Sequence, residues 1–279
     1  SLLLLKRSGS VACKASLWAV PSAVLAVVFV YIDEWMPGAR DDVGLKGITQ
    51  SQLWNAMTVI IILLLGFRTR QALSRFWEGT GLLHQMRGEW FDTVSNCVSF
   101  SSTARKIKKR EVEEFRHTLV RLMSLAHGSA LEEIAEGGIQ CEALDVLGLD
   151  SPTLNFIRDC HLQKHFNRVE VILHVVQTLI VHAHEDGILK IPPPILSRVF
   201  QTISRGFVNL LNAKKITDTR FPFPYAQLIA FLLLCMNIMI PMTLSAIVHS
   251  KILVAIFTYV PILGMMSLNY IAIELENPF

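Results

Sequence analysis

Charge avoids four stretches of the chain: Ala15 to Ile32, Gly47 to Phe67, Phe221 to Ser250 and Ile252 to Ile273, runs of 18, 21, 30 and 22 residues with no Asp, Glu, Lys or Arg. About 20 apolar residues at 1.5 Å each cross the hydrocarbon layer, so each run is predicted to be a transmembrane helix. The first run is short enough to compete with a signal-peptide core behind Lys6, Arg7 and Lys14. A buried Pro21 and an aromatic close at Phe29 and Tyr31 do not resemble a small-residue cleavage site, and four spans are the preferred reading. Between the second and third spans the pattern becomes amphipathic. Val112, Phe115, Leu119, Leu122 and Ala126 recur at three- and four-residue spacing, with Glu111, Glu113, Glu114 and Arg121 on other faces, as in a solvated helix with one buried stripe. Val169, Ile172, Val176 and Leu179 repeat the pattern. A third amphipathic helix is predicted after Pro192, Pro193 and Pro194, with the stripe Ile195, Val199, Ile203, Gly206 and Leu210, because proline is tolerated in a first turn and not inside a helix. Gly137 and Gly138, and the stretch Leu149 to Pro152, mark breaks. There is no strand alternation and no internal repeat. The expected fold is an all-α integral membrane protein, with four transmembrane helices in two hairpins flanking a cytosolic helical bundle. Its parts are residues 1–67, 68–220 and 221–279.

Composition agrees with that division. The 279 residues are 52% hydrophobic and only 18% charged, with a mean hydropathy of +0.43, which excludes disorder and is unlike an ordinary soluble domain. The net charge of +3 is too small to imply nucleic acid. Cys13, Cys97, Cys141, Cys160 and Cys235 contain no CxxC pair, so neither a disulfide framework nor a thiolate metal site is indicated. Charge also sets topology. Residues 68–220 hold 20 of the 26 Lys and Arg, whereas the loop from Asp33 to Lys46 has four acids against two bases. The positive-inside rule puts the middle block on the cytosolic or equivalent face, and four spans return both termini to that side.

Candidate chemistry in the middle block is sparse. His161 and His165 sit one helical turn apart but have no third ligand spaced to join them. His182, His184, Glu185 and Asp186 fall where a helix should end, so a solvated, dipole-complementing terminus is preferred over a metal site. The run Arg105 to Arg110, five of six residues cationic, reads as a solvated or headgroup-facing corner. There is no phosphate-cradling glycine loop, GxSxG or Walker motif, and no enzyme is expected. In the second span Val59, Leu63 and Phe67 lie four residues apart on one slowly drifting helix face. Periodicity alone favours ordinary lipid-facing or packed surface for them.

The segment Gly66, Phe67, Arg68, Thr69, Arg70, Gln71, Ala72, Leu73, Ser74, Arg75, Phe76, Trp77, Glu78 resembles the signature of the bestrophin family of anion channels, in its bacterial, plant and algal-like branch. Two further segments agree: Phe221, Pro222, Phe223, Pro224, Tyr225 at the third span, and Glu274, Leu275, Glu276, Asn277, Pro278, Phe279, which resembles the family's ENPF end. Gly66, Arg75, Trp77, Glu78, Pro224, Asn277 and Pro278 are the family-motif structural positions. The resemblance implies a homopentamer with one central pore, a hydrophobic neck of Val59, Leu63 and Phe67 and a cytosolic aperture at Ile195, after Pro194. Leu63 stands where many relatives carry Phe or Ile. Apolar rings of this kind can gate by dewetting, and they favour larger, weakly hydrated anions. Sign selectivity is expected from helix amino-termini aimed at the lumen.

The implied function is an anion-selective channel for chloride, with bicarbonate or nitrate as further permeants. The competing readings are a non-conducting membrane scaffold, a bestrophin-like domain regulated by a fused or bound partner, and a membrane enzyme using the histidines. The expected partners are further copies of the chain, the bilayer and the permeant anions. Animal members hold calcium with backbone oxygens near the ENPF motif and an acidic run beyond it. Glu274 and Asn277 occupy the carbonyl-supplying positions, but the chain stops at Phe279, so calcium is not expected as a firm ligand here. The absence of an initiator Met suggests a piece of a longer polypeptide, with room for a fused domain outside it. The organelle stays open between plasma membrane and plastid thylakoid.

Overall fold

A computed structural model of the chain describes residues 10–35, 52–135, 151–164 and 166–279. Every regular element among them is helical: α1 Ala12–Trp35, α2 Gln52–Phe100, α3 Lys109–Ile134, α4 Ser151–Lys164, α5 Arg168–Glu185, α6 Pro193–Asp218, α7 Phe223–Ile247 and α8 Lys251–Glu276. A 3₁₀ turn, Ala104–Lys106, precedes α3. Four of these helices are long and apolar enough to cross a membrane: Ala12–Ile32 within α1, Trp54–Phe100 within α2, α7 and α8. The chain divides into two compact units, residues 1–77 with 220–278 and residues 78–219 with Phe279.

In the membrane unit α1 packs on α8 and α7 through a stripe of small residues. Ala15, Ala19, Ser22 and Ala26 are all buried, spaced four, three and four apart, which allows the close backbone approach that lipid-embedded helices rely on. The opposite faces carry Leu17, Val24, Phe231, Leu234, Ile252 and Phe257, all exposed, as surfaces meeting lipid or another subunit require. Pro21, Pro241 and Pro261 lie inside α1, α7 and α8. Pro21 is exposed rather than buried.

The cytosolic unit inverts that pattern. α3 packs on α5 and α6, and α4 on α5, around a core that includes Leu119, Leu122, Ile172, Ile180, Ile203 and Leu210. The stripe Val112, Phe115, Leu119, Leu122, Ala126 is buried along its whole length, and so are Val169, Ile172 and Val176, whereas Leu179 is half-buried. Asn167 caps α5, its side chain accepting from the N–H groups of Val169 and Glu170, which satisfies two donors the first turn would otherwise leave unpaired.

Three expectations change. The second span does not stop near Arg68 but continues as one helix to Phe100, and no proline interrupts residues 68–100. The third amphipathic helix includes Pro193 and Pro194 in its first turn, with Pro192 as its cap. Its stripe opens at Leu196, 8% exposed, rather than at Ile195, which is 42% exposed. Residues 47–51, Gly137, Gly138, Leu149, Cys141, His165 and most of the Asp33 to Lys46 loop lie outside the described residues.

Candidate functional site

The membrane half of α2 has two contrasting faces. Ile61, Leu65, Arg68 and Ala72 are buried, spaced four, three and four residues apart. Ile61 and Leu65 pack with Ile229, Leu233, Ile262 and Met266. Val59, Leu63 and Phe67 are 54%, 67% and 52% exposed. At 3.6 residues per turn the centres of these two stripes lie about 170° apart, so the triad points directly away from its own subunit. A lone protomer therefore presents three stacked, half-exposed or more exposed apolar side chains, with the Tyr225 ring of α7 reaching Phe67 at the cytosolic end.

Just below the triad, α2 is tied to the end of α8. Arg68 Nε donates to Glu276 Oε1 at 2.8 Å and its Nη1 to Asn269 Oδ1 at 2.8 Å. Both partners sit on one face of α8, seven residues apart. The pair is largely hidden, with side chains 7% and 16% exposed. The guanidinium also lies over the Phe221 ring, 5.4 Å from its centroid, within cation–π range. Phe221 meets Tyr225 at 6.1 Å, and Tyr225 meets Phe67 at 6.3 Å. The contacts form a closed circuit that starts and ends on adjacent residues of α2, Phe67 and Arg68. Glu276, Asn269 and Tyr225 have no weight in a reading by spacing, since nothing local in sequence connects residue 68 with residue 276.

The comparisons with known proteins decide the family. The profile of the bacterial and fungal bestrophin protein matches residues 1–279. The chain belongs to the bestrophin family. Crystal structures of a bacterial bestrophin homologue from Klebsiella pneumoniae share its fold. The structure phased by zinc anomalous scattering has a TM-score of 0.67 at 17% identity, covering 94% of this chain and 88% of the homologue. Two single-substitution variants give TM-scores of 0.68 and 0.63 at 17% and 19% identity, covering 96% and 92% of this chain and 89% and 88% of theirs. No curated protein matches the chain. Bestrophins are channel proteins, and membership makes this chain an integral membrane protein of a channel family.

In this bestrophin the remaining motif positions are spread along the two units. A side chain at Gly66 would meet no atom within 4 Å. Arg75 is half-buried, and Trp77, 65% exposed, stacks edge-on against Phe76 at 5.5 Å. Glu78 is exposed at the start of the cytosolic part of α2. Pro224 lies in the first turn of α7, after Pro222 as its cap. Asn277 caps α8 with Pro278 following, and Phe279 packs against the core of the cytosolic unit.

Ile195 stands exposed in the first turn of α6 beside a cavity of about 560 Å³ lined by Asp92, Asn96, Phe100, Arg198 and Arg205 among others. The start of α6 offers it few unsatisfied N–H groups. Pro193 and Pro194 carry no N–H, and the Ile195 and Leu196 N–H groups both donate to the Pro192 carbonyl, at 3.0 and 3.2 Å. The start of α7 repeats the device, with Tyr225 and Ala226 donating to Pro222. Proline thus removes or occupies nearly all the donors that a helix start would offer an anion.

Glu274 Oε1 accepts from Lys14 at 2.9 Å, and among the described residues no three His, Cys, Asp or Glu side chains gather to hold a metal. Two of the histidines bond to nearby backbone. His161 Nδ1–H donates to the Phe166 carbonyl at 3.1 Å, and His184 Nδ1–H to the Leu189 carbonyl at 2.9 Å. Asp186 caps the end of α5. In the basic corner, Lys108 bonds to the Asp186 carbonyl at 2.9 Å and pairs with Glu111 at 3.2 Å.

Proposed function

We propose that this bestrophin is an anion-selective channel, carrying chloride with bicarbonate or nitrate as further permeants, formed by five copies around a shared axis. Val59, Leu63 and Phe67 would line its neck and Ile195 its cytosolic aperture. The observation that supports this reading is the outward apolar stripe of α2. Its three residues lie opposite the buried stripe of the same helix, so a ring of α2 helices facing one axis would stack them into three apolar collars. Such collars exclude water and disfavour strongly hydrated ions, and they can gate by dewetting. Among the described residues the membrane helices of one protomer pack against each other largely with alanine and larger apolar side chains, which favours a path between subunits over one within a subunit.

Planar-bilayer recording of the purified protein under chloride, bicarbonate and nitrate gradients, with mass measurement in detergent, tests the proposal. Anion-selective unitary currents from a particle of five subunits are expected. A conducting monomer, or a pentamer silent under every gradient, overturns it; the silent pentamer would instead indicate a scaffold or a domain controlled by a partner.

A further inference from the structure

The outward face of α2 does not end at Phe67. Its next members are Arg70, Ser74 and Trp77, all exposed. At about 100° per residue, Arg70 falls between Val59 and Leu63 around the helix, and it sits about 4.5 Å beyond Phe67 along the axis. Among the described residues it has no hydrogen bond, ion pair or ring contact. Arg68, two residues earlier, points about 160° away and is held by Glu276 and Asn269. The same turn of helix thus carries one neutralised cation on its inner side and, on its outer side, one cation with no partner among the described residues.

Two features make the second cation matter. The helix starts at Pro193 and Phe223 have been stripped of most N–H donors, so they are poor anion sites. No acidic residue occurs in α2 before Glu78, about 12 Å beyond Arg70 along the axis and farther than the screening length of about 8 Å at physiological salt. The side next to Arg70 is apolar, where a charge is felt more strongly than in open water.

We propose that Arg70 is a specificity-determining residue of the channel. In the ring of five proposed above, on which this inference rests, one Arg70 from each subunit forms a cationic collar at the cytosolic end of the neck. The collar offsets the hydration an anion loses on entering the apolar rings and repels cations from the same entrance.

Reversal potentials in asymmetric potassium chloride read the collar directly. Wild type is compared with Arg70→Lys, Arg70→Gln and Arg70→Glu, with Phe67→Ala recorded in parallel. The chloride-to-potassium permeability ratio is expected to fall about tenfold in Arg70→Gln, to fall further or reverse in Arg70→Glu, and to survive in Arg70→Lys. Should Arg70→Glu fail to assemble, the Lys and Gln variants carry the decision, since both keep a flexible polar side chain at an exposed position. Wild-type ratios in Gln and Glu, with gating altered by Phe67→Ala, overturn the assignment of Arg70 and leave the neck standing. Wild-type behaviour in the Phe67 and Arg70 variants together overturns the whole outward face of α2 as a pore lining. Loss of the ratio in Arg70→Lys as well as in Gln also overturns the collar, because a retained charge would then not retain selectivity.

Discussion

Between the helices of the membrane unit, small and polar groups share the seams with aliphatic ones: Ala15, Ala19 and Ser22 of α1, Asn237 and Thr243 of α7, Thr258 of α8, and the Arg68–Glu276 pair. In the cytosolic unit the hidden side chains are large and aliphatic, joined by Trp90, and the charges stand outside. The contrast follows from solvent. Water rewards burial of apolar surface by about 25 cal/mol per Å², whereas acyl chains are as apolar as leucine, so helices in lipid associate by close approach and by polar links such as Ser22 to Asn237 at 3.4 Å and Trp18 to Tyr270 at 2.9 Å. The membrane unit should therefore be most sensitive where a polar link is cut, and the cytosolic unit where packing volume changes.

The largest effect is expected from Arg68→Ala. It leaves the mostly hidden Glu276 carboxylate and the Asn269 amide without their donor, a loss of about 3–5 kcal/mol for a buried pair broken on one side. Lys14→Ala cuts an ion pair of similar length, Lys14 to Glu274 at 2.9 Å, but with side chains 62% and 48% exposed, and should scarcely change thermal stability in detergent. Equal shifts in melting temperature for the two variants would show that burial does not set the value of these links.

Gly206→Ala probes the other unit. A Cβ there would lie 2.3 Å from Trp90 Nε1 and 2.4 Å from Cδ1. The indole is 3% exposed and near the Ile203 carbonyl at 3.4 Å, so it has little room to withdraw. Alanine gains about 1 kcal/mol of helix propensity over glycine, but overpacking a filled core costs about 1–3 kcal/mol, and the net change should be destabilising. Tryptophan fluorescence during thermal unfolding would register it, and a stabilised variant would contradict a rigid Trp90–Gly206 contact.

The residues proposed to face the pore should change function with little change in folding, because their own subunit leaves them exposed. Alanine at Val59, Leu63 and Phe67 together should raise open probability and weaken gating, with Phe67→Ala the strongest single change since it removes the most apolar surface. Ile195→Ala should alter relative permeability among chloride, nitrate and larger anions while melting near wild type. Its neighbour Leu196→Ala, at a buried position, should lose about 2–5 kcal/mol. Paired bilayer and melting measurements on both variants check this; a destabilised Ile195→Ala with unchanged selectivity would return Ile195 to the core.

Much of this is legible from spacing. Apolar runs locate the four spans, three- and four-residue periods locate the stripes of α3 and α5, and the motif segments carry the family. Three features escape for identifiable reasons. The 49-residue length of α2 is hidden because its inner residues change solvent partway along while the backbone period continues. The Arg68–Glu276–Asn269 lock joins positions about 200 apart in sequence, which no local period connects. The shift of the α6 stripe from Ile195 to Leu196 depends on where the proline cap sets the helical phase. Arg70 is different: wheel arithmetic from Val59 places it on the triad's face, and only the assumption that the face stops at Phe67 conceals it.

The smallest expected effect is a pH dependence confined to the cytosolic unit. His127 lies on α3 with its ring edge-on to Trp90 at 6.1 Å, and burial, aided by the nearby Arg87 charge, holds its pKa below the ordinary 6.5. Between that lowered value and 6.5 the unfolded chain binds more protons than the folded one. Stability from this group is therefore complete above about pH 6.5 and is lost as pH falls through the folded pKa. Melting temperature should decline more steeply from pH 7.5 to 5 in wild type than in His127→Gln, which cannot take up the proton. Hydrogen exchange should show the acid-induced loosening in α3 and α6 around Trp90, with α1 and α8 unchanged, because His127 and Trp90 belong to the cytosolic unit. Identical slopes in the two proteins would remove His127 as the source, and loosening of α1 or α8 to the same degree would show that the units do not respond to acid independently.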